Sequence, residues 1–489
     1  MTAYLVAIDN GSQSTKVSIV DETGTVHASA RRPLRPYAHP GPGRVVHPDD
    51  DVWDSIASTC AEAMRAFTGD VSLIAGVGLC TIRFCRALLD DDGGLHEPLL
   101  SWMDERLARA QDPDPAIRHV TTSSGYATFR MTGRRRDTAG NYQGVWPIDH
   151  TTWRWSTDPA RYAATGMRRE QLFDLVDPGD LLGHVTGEAA AVTGLPAGLP
   201  VFATSNDKAV EALGSGLRRD DEVLVSLGTY IAAMTTGDHH AVDDSGRFWT
   251  NFASVPERYL YESDGIRRGM WTVSWYRDLV GADLDDLTAG AAAVPPGSDG
   301  LMTVLDWLAP TDHPYRRGAL LGFDGSQGRH HVYRSVLEGI ALTMHRHCAA
   351  LGTALGRDFT DVVLSGGGSR SDLMAQVFAD VFARPVRRTR MADAAGLGAA
   401  ICAAVGSGVH PDWDTAVKAM ATTTDLVTPT AEGVRAYAAI APGYARITEF
   451  TDPLFAALAG RPPRSDAAGV ADREDGTRTA TVHRPEVPL

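Results

Sequence analysis

The sequence predicts an α/β protein of two domains, with a similar strand and glycine-turn unit in each half. The chain has 489 residues, which exceeds the size at which one hydrophobic core keeps growing. Apolar, β-branched stretches at 4–8 and 17–20 flank a polar turn, and stretches at 223–227 and 231–234 flank a second turn. This repetition indicates a duplicated architecture.

Further elements follow from the spacing of apolar residues. Residues 53–67 carry apolar side chains at three- and four-residue steps, which predicts an amphipathic helix. Strands are predicted at 74–80 and 200–203, and the second ends in the polar turn 204–207 before an alanine-rich helix. Residues 362–382 predict a short strand, a glycine turn and a helix, an arrangement that suits nucleotide binding.

A charged break near 217–221 places the predicted domain boundary. We expect an N-terminal domain at 1–217 and a C-terminal domain at 218–455. Residues 456–489 contain few large apolar side chains, so the sequence predicts a disordered polar tail there.

The composition points to a cytoplasmic protein that binds a small molecule. Hydrophobic residues make up 43% and charged residues 22% of the chain, which suffices for an ordinary globular core. The formal net charge of -15 disfavours nucleic acid and anionic membrane surfaces as partners. The five cysteines show no C-x-x-C spacing and are expected to be reduced core thiols, and no signal peptide or membrane helix is predicted.

The segment from Asp9 to Lys16 is a candidate triphosphate loop. Gly11 allows close approach of the backbone to phosphate oxygens, hydroxyls can donate hydrogen bonds, Lys16 supplies charge, and Asp9 can hold water around magnesium. A solvated hairpin turn of the same composition is the alternative. The sequence contains no Gly-Lys dipeptide, so a Walker-type loop is excluded.

Asp207 is a candidate general base. It lies where a strand ends and a helix begins, so its carboxylate can project into a cleft and accept the proton of a substrate hydroxyl. The alternative is a structural role as the N-cap of the helix, which aspartate often fills.

Several motifs together resemble the FGGY family of carbohydrate kinases, in the family's order. They are the loop Asp9–Lys16, the segment Ser205–Ala209 with Gly214, the segment Ser226–Thr229, the segments at 317–319 and 334–341, and Ser365–Ser369 with Gln376 and Asp380. The resemblance covers roughly 4–406. It implies the duplicated, two-domain actin-like ATPase (ribonuclease H-like) fold and an ATP-dependent kinase that phosphorylates a hydroxyl of a small sugar or polyol. In this fold 1–217 is the sugar-binding and phosphate-loop domain, and 218–455 is the ATP-binding domain.

The resemblance also implies roles for individual residues. Asp207 is the general base, and Asp9 holds Mg²⁺ through water. The residues implied for ATP binding are Gly11, Ser12, Ser14, Thr15, Lys16, Gly228, Thr229, Gly366, Gly367, Gly368 and Gln376. The family commonly has a glutamate before its small-residue helix, where this chain has Asp393.

The implied substrate-binding residues are Arg83, Phe84, Trp102, Asp104, Asn206 and Asp207. Glycerol kinases have Arg-Glu where this chain has Arg83-Phe84, and xylulose kinases usually have Met-His-Gly in that region. The chain therefore looks nearest to a branch whose substrate is not established, with a ketopentose-like sugar or polyol as the expected acceptor. Trp102 could equally be an ordinary core residue.

The same motifs also allow a second function. A catalytically weak ATP-binding regulator or chaperone-like ATPase can have the same fold.

Two further groups of residues were weighed as sites. Arg134, Arg135 and Arg136 could recognise a phosphate, but arginine runs are more often solvated surface. His345 and His347 lie two residues apart on a predicted helix and face different directions, so they predict no zinc site. A homodimer is a possible assembly.

Overall fold

The computed structural model describes residues 2–310, 312–389, 393–421 and 423–460. The predicted polar tail begins at residue 456, but the last helix continues to Leu458. From residue 461 the tail lies outside the described residues.

Within the described residues the chain forms 23 β-strands. They are β1 (Tyr4–Asn10), β2 (Ser14–Asp21), β3 (Val26–Pro33), β4 (Ala38–Gly41), β5 (Arg44–Val46), β6 (Ile74–Thr81), β7 (Ala87–Leu89), β8 (His119–Thr121), β9 (Arg136–Thr138), β10 (Ile148–Asp149), β11 (Arg154–Trp155), β12 (Asp174–Val176), β13 (Leu181–His184), β14 (Pro200–Phe202), β15 (Glu222–Leu227), β16 (Ile231–Gly237), β17 (Phe248–Phe252), β18 (Tyr259–Ser263), β19 (Met302–Val304), β20 (Ala319–Leu321), β21 (Asp361–Ser365), β22 (Val386–Thr389) and β23 (Thr423–Val427).

The same residues form 13 α-helices. They are α1 (Asp51–Ala66), α2 (Ser123–Thr132), α3 (Pro159–Thr165), α4 (Gly187–Thr193), α5 (Asp207–Gly214), α6 (Gly269–Val280), α7 (Leu284–Ala292), α8 (Arg329–Leu355), α9 (Asp372–Phe382), α10 (Ala394–Gly406), α11 (Trp413–Met420), α12 (Ala431–Ala445) and α13 (Ile447–Leu458). Every strand and helix that the sequence predicts is present, with ends shifted by at most a few residues.

Two sheets organise these elements. The first has six strands in the order β13-β14-β6-β1-β2-β3, with β1 antiparallel to β2 and parallel to β6. The other has seven strands in the order β17-β18-β16-β15-β21-β22-β23, in which β21 and β22 are parallel. In each sheet a pair of consecutive strands, β1-β2 or β15-β16, encloses one of the turns that the sequence singles out.

The chain divides into two compact units. The first unit consists of Met1–Leu224, Met234–Glu262 and Thr389–Asp425. The second consists of Val225–Ala233, Ser263–Arg388 and Leu426–Leu489, as far as these are described.

The core of the first unit lies on both faces of the six-stranded sheet. Helix α1 buries its apolar side against one face, where Ile56 and Cys60 are fully buried. Helices α5 and α10 cover the other face, where Val210, Leu213 and Ile401 contribute to a second buried cluster. These two helices begin at Asp207 and immediately after Asp393, so the packing of this face sets the position of both carboxylates.

Glycines allow α5 and α10 to pack at backbone contact distance. A Cβ atom on Gly398 would lie 1.9 Å from the carbonyl oxygen of Val210, and one on Gly214 would lie 1.9 Å from that of Ala394. A Cβ on Gly78 in β6 would lie 2.0 Å from the carbonyl oxygen of Ala399. The small-residue composition of α10 is therefore a packing requirement of this layer.

All five cysteines are buried and unpaired, in agreement with the expectation of reduced core thiols. Among the described helices, none combines the length and apolar character that crossing a membrane requires.

We predict that Gly398→Ala lowers the free energy of unfolding by about 2 kcal/mol, because the new methyl group must displace the backbone of α5. Urea denaturation followed by far-UV circular dichroism measures this change. Gly187→Ala is the matched control, since a Cβ on Gly187 meets nothing within 4 Å and alanine favours the helix. Equal stabilities of the two variants would contradict the backbone-contact interpretation.

Candidate active site

Lys16 joins two carboxylates at the turn between β1 and β2. Its Nζ atom lies 3.0 Å from Asp9 Oδ2 and 3.1 Å from Asp393 Oδ1. Asp9 and Lys16 are cross-strand partners in the β1–β2 register, whereas Asp393 is the N-cap residue of α10. The turn thus carries one cation held between two anions.

The pKa values at this turn are strongly shifted. Burial raises the pKa of Asp9 from 3.8 to about 7, with a further increase from the charge of Asp393 that Lys16 only partly offsets. Burial on its own would lower the pKa of Lys16, but Asp9 and Asp393 raise it above its usual value. Lys16 therefore stays charged, while Asp9 exchanges its proton near neutral pH.

The predicted phosphate-loop residues separate into two groups. Gly11 and Ser12 are partly exposed at the turn, together with Lys16. The hydroxyls of Ser14 and Thr15 belong to buried residues with protein partners: Ser14 Oγ accepts a hydrogen bond from Arg31, and Thr15 Oγ1 bonds to Asn10 and Ser55. The structure therefore favours the first group for phosphate contact.

Asp207 is the first residue of α5, and the cap belongs to its neighbour. Asn206 is the N-cap residue, and its Oδ1 accepts from the backbone N–H groups of Lys208 and Ala209. The N-cap alternative for Asp207 is thus filled by Asn206, whose amide also donates to the carbonyl oxygen of Gly140. Asn206 was predicted as a substrate-binding residue, and these contacts favour a positioning role.

The carboxylate of Asp207 is partly buried. Its side chain is 26% exposed, and its Oδ1 atom lies 3.8 Å from Arg83 Nε. Burial raises the pKa of Asp207, while the positive charges of Arg83 and Lys208 act in the opposite direction. A carboxyl group with a raised pKa is a better proton acceptor than an ordinary aspartate.

Arg83 has a buried partner that the sequence analysis missed. Its NH1 and NH2 groups donate to Glu262 Oε2 and Oε1 at 2.8 and 2.9 Å, and Glu262 is 1% exposed. Arg83 also lies over two aromatic rings, with its Cζ atom 5.3 Å from the centre of Phe84 and 4.9 Å from that of Trp249. No local signal connects positions 83, 249 and 262, because Arg83 follows β6 whereas Trp249 and Glu262 lie in β17 and β18 of the other sheet, so the three meet only in the tertiary structure.

Phe84 has a left-handed backbone, with φ of 63°. This conformation is costly for a bulky residue and persists only where the surroundings enforce it. Its ring lies 6.2 Å from that of Trp249.

Trp102 and Asp104 differ in the number of hydrogen bonds that their side chains make. Trp102 packs partly buried against the core, and its buried Nε1 has no hydrogen-bond partner within the described part of the chain. Asp104 instead accepts four hydrogen bonds, three from Arg106 and one from the backbone of Val45. These contacts favour a positioning role for Asp104, and the burial of the Trp102 Nε1 atom favours core packing over direct contact with a ligand.

The remaining predicted ATP residues lie in the second unit. Gly366 has φ of 77°, and a Cβ atom there would lie 2.8 Å from the backbone of Leu227. The glycine turn after β21 therefore lies directly against the end of β15, next to Gly228 and the exposed Thr229. Gln376 donates to Asp380 and to the carbonyl oxygen of Thr428, and it lines a cavity of about 820 Å³.

The arginine run at 134–136 is exposed, in agreement with a solvated surface. Arg136 donates to the carbonyl oxygen of Leu181, and Arg135 lies over the ring of Phe129.

Comparisons with known proteins agree with this geometry. Residues 4–113 match the N-terminal domain and residues 223–407 the C-terminal domain of the FGGY family of carbohydrate kinases. The uncharacterized sugar kinase YgcE of Escherichia coli K12 is 43% identical over 465 residues, covering 92% of this chain and 94% of that protein. The xylulose kinase of Bacillus subtilis is 23% identical and covers 93% and 98% of the two chains.

Solved structures share the fold over almost the whole chain. The xylulose kinase of Rhodospirillum rubrum superimposes with a TM-score of 0.80 at 26% identity, covering 92% of this chain and 99% of that one. The gluconate kinase of Lactobacillus acidophilus reaches a TM-score of 0.81 at 18% identity, covering 94% and 100%.

The fold and the site define a carbohydrate kinase with the duplicated, two-domain actin-like architecture, as the sequence predicts. The chain belongs to the FGGY family of carbohydrate kinases. The prediction of a kinase is confirmed, and kinases of this family use ATP as the phosphoryl donor.

We predict that Asp393→Asn lowers the pKa of Asp9, because it removes a neighbouring negative charge. A carboxyl whose pKa is raised on folding binds a proton that the unfolded chain releases, so stability falls as the pH rises from about 4 to 7. Urea denaturation at pH 5 and pH 7.5 should show a smaller loss of stability in the variant than in the wild type.

Asp412→Asn is the control for that experiment. Asp412 is the N-cap residue of α11, and hydrogen bonds from Thr415 lower its pKa. Its replacement should leave the slope between pH 5 and 7.5 unchanged. A wild-type slope in Asp393→Asn would contradict the assignment of the Asp9 titration to this cluster.

Proposed function

We propose that this kinase transfers the γ-phosphoryl group of ATP to a hydroxyl group of a small sugar or polyol, with Asp207 as the general base. A ketopentose-like sugar or a polyol is the expected acceptor. The observation that carries this proposal is the state of Asp207, whose carboxylate lies at the first position of α5, is partly exposed and has a raised pKa, while Asn206 fills the N-cap position.

The reaction balances around Asp207. The acceptor oxygen forms a bond to the γ-phosphorus while the bond between that phosphorus and the β,γ-bridging oxygen of ATP breaks, which leaves ADP. The hydroxyl proton passes to the Asp207 carboxylate. Arg83, 3.8 Å away, favours the ionised form that can accept it.

Phosphate-binding turns are proposed in each of the two units. Lys16, Gly11 and Ser12 in the first unit are proposed to contact the phosphates, because they are partly exposed at the β1–β2 turn. In the second unit the turns at 228–229 and 366–368 are proposed to hold ATP, since Thr229 is exposed and a Cβ atom on Gly367 would meet nothing within 4 Å.

The acidic residues at the first turn fit Mg²⁺ held through water. Asp9 and Asp393 supply carboxylates beside Lys16, while the described residues contain no group of three or more acidic, histidine or cysteine ligands. Mg²⁺ commonly keeps several waters and binds through one or two carboxylates and substrate phosphates. When bound, it would neutralise charge on the β- and γ-phosphates.

We predict that Asp207→Asn lowers kcat by a factor of about 10² to 10⁴, because the amide cannot accept the acceptor proton. Sugar-dependent ADP release, measured with MgATP across ketoses, aldoses, polyols and sugar acids, tests this. Asp70→Asn, at an exposed cap residue of the first unit, is the control and should retain wild-type turnover. A folded Asp207→Asn protein with wild-type turnover would rule out the assigned base.

We also predict an acidic limb in the pH profile of kcat/KM that lies above 3.8, the ordinary pKa of aspartate, because the raised pKa of Asp207 leaves it protonated at higher pH. Arg83→Gln should move this limb to higher pH, because it removes the largest influence that lowers this pKa. Lys208→Gln should cause a smaller shift in the same direction. An unshifted limb in Arg83→Gln would show that another group controls the profile.

A further inference from the structure

We infer that the acceptor is uncharged, and that Glu262 and Trp249 enforce this by holding and neutralising Arg83. This inference rests on the proposed function, which it makes more specific. The fold alone leaves the question open, since it is shared by a xylulose kinase and a gluconate kinase.

The geometry of Arg83 is set by Glu262. Both terminal nitrogens of the guanidinium group donate to the two carboxylate oxygens of Glu262, at 2.8 and 2.9 Å. This is the paired arrangement in which arginine binds a carboxylate most strongly. A sugar acid that used Arg83 in the same way would have to displace a carboxylate that is already in place.

Glu262 is rigidly placed for this task. It lies in β18, opposite Met234 of β16, and is 1% exposed. A buried carboxylate needs a paired charge, because leaving it alone would cost several kcal/mol. The ion pair with Arg83 is therefore part of the fold of the first unit as well as part of its site.

The charges around Asp207 do not favour an anion. Besides Arg83 and Glu262, the charged groups with the largest influence on its pKa are Lys208 and Glu211, whose side chains pair at 2.8 Å. Two ion pairs and the Asp207 carboxylate leave one net negative charge. A carboxylate or phosphate on the acceptor would be repelled by it.

The guanidinium group of Arg83 also contacts two aromatic rings. Phe84 and Trp249 both contact the Arg83 guanidinium by their faces, at 5.3 and 4.9 Å, and both side chains are partly exposed. Such rings pack well against the C–H face of a sugar or polyol. The left-handed backbone of Phe84 is a conformation that its surroundings must enforce, so its ring is held at this position.

The test compares matched acceptors that differ only in one carboxylate: D-glucitol with D-gluconate, xylitol with D-xylonate, and D-fructose with 2-keto-D-gluconate. ADP release gives kcat/KM for each member in the wild type, in Glu262→Gln and in Glu211→Gln. We expect the wild type to prefer the neutral member of the pair that it uses by at least 100-fold. Glu262→Gln should narrow this preference at least tenfold, because it leaves the Arg83 charge uncompensated.

Glu211→Gln is the matched control, because it removes the same charge from a residue that pairs with Lys208. Its preference should narrow less than threefold, because the variant removes the same negative charge but leaves the Arg83 guanidinium paired with Glu262. A wild-type preference for an acid, or an unchanged ratio in Glu262→Gln, would overturn the inference while leaving the kinase assignment intact.

If no acceptor stimulates ADP release, the proposed function is overturned. Measurements of acceptor binding would then test the inference separately. Isothermal titration calorimetry with the same pairs should show a neutral-to-acid affinity ratio that falls at least tenfold from the wild type to Glu262→Gln. A ratio that does not fall, including an absence of measurable binding, would contradict the inference.

The contribution of Trp249 is tested separately, by the KM and kcat of its own variants. Trp249→Ala should raise the KM of a neutral acceptor about tenfold and change kcat less than threefold, and Trp249→Phe should restore most of the affinity. Equal losses of kcat in both variants would indicate a merely structural residue.

Discussion

The ion cluster of Asp9, Lys16 and Asp393 is the constraint on which the first unit depends. It joins Lys16, near the start of the chain, to Asp393, the N-cap residue of α10, which lies 377 residues later in the sequence. Helix α10 can reach this turn only because its glycine and alanine residues allow backbone contact with α5 and β6. Helix packing and electrostatics thus place the phosphate turn and the proposed base on one scaffold.

The two charged clusters of this unit have different physical characters. At Lys16 two carboxylates share one cation, so burial and repulsion raise the pKa of Asp9 into the neutral range. At Arg83 each carboxylate oxygen of Glu262 has its own donor, and the aromatic rings exclude water from the guanidinium faces. The first cluster can change protonation state, whereas the second is built to remain fixed.

The sequence was informative wherever function depends on short segments. The strands, the glycine turns, the phosphate loop and the position of Asp207 at a helix start could all be predicted, because each is encoded within about ten residues. The role of Asn206 as the true cap was missed, since Asn and Asp fill that position almost equally well. Glu262 and Trp249 could not be found, because they contact Arg83 through side chains of segments that are distant in sequence and belong to different sheets, and no local pattern records such a tertiary contact.

The burial of all five cysteines has a practical consequence for following this enzyme in solution. Burial raises the pKa of Cys60 and Cys85 to about 12 and that of the other three thiols as well, so thiolate-directed reagents find little to modify in the native protein. A single cysteine introduced at an exposed site such as Asp70 would therefore carry a fluorophore or spin label without removal of the native thiols. Movements of the first unit during the catalytic cycle could then be followed by spectroscopy on an otherwise unaltered enzyme.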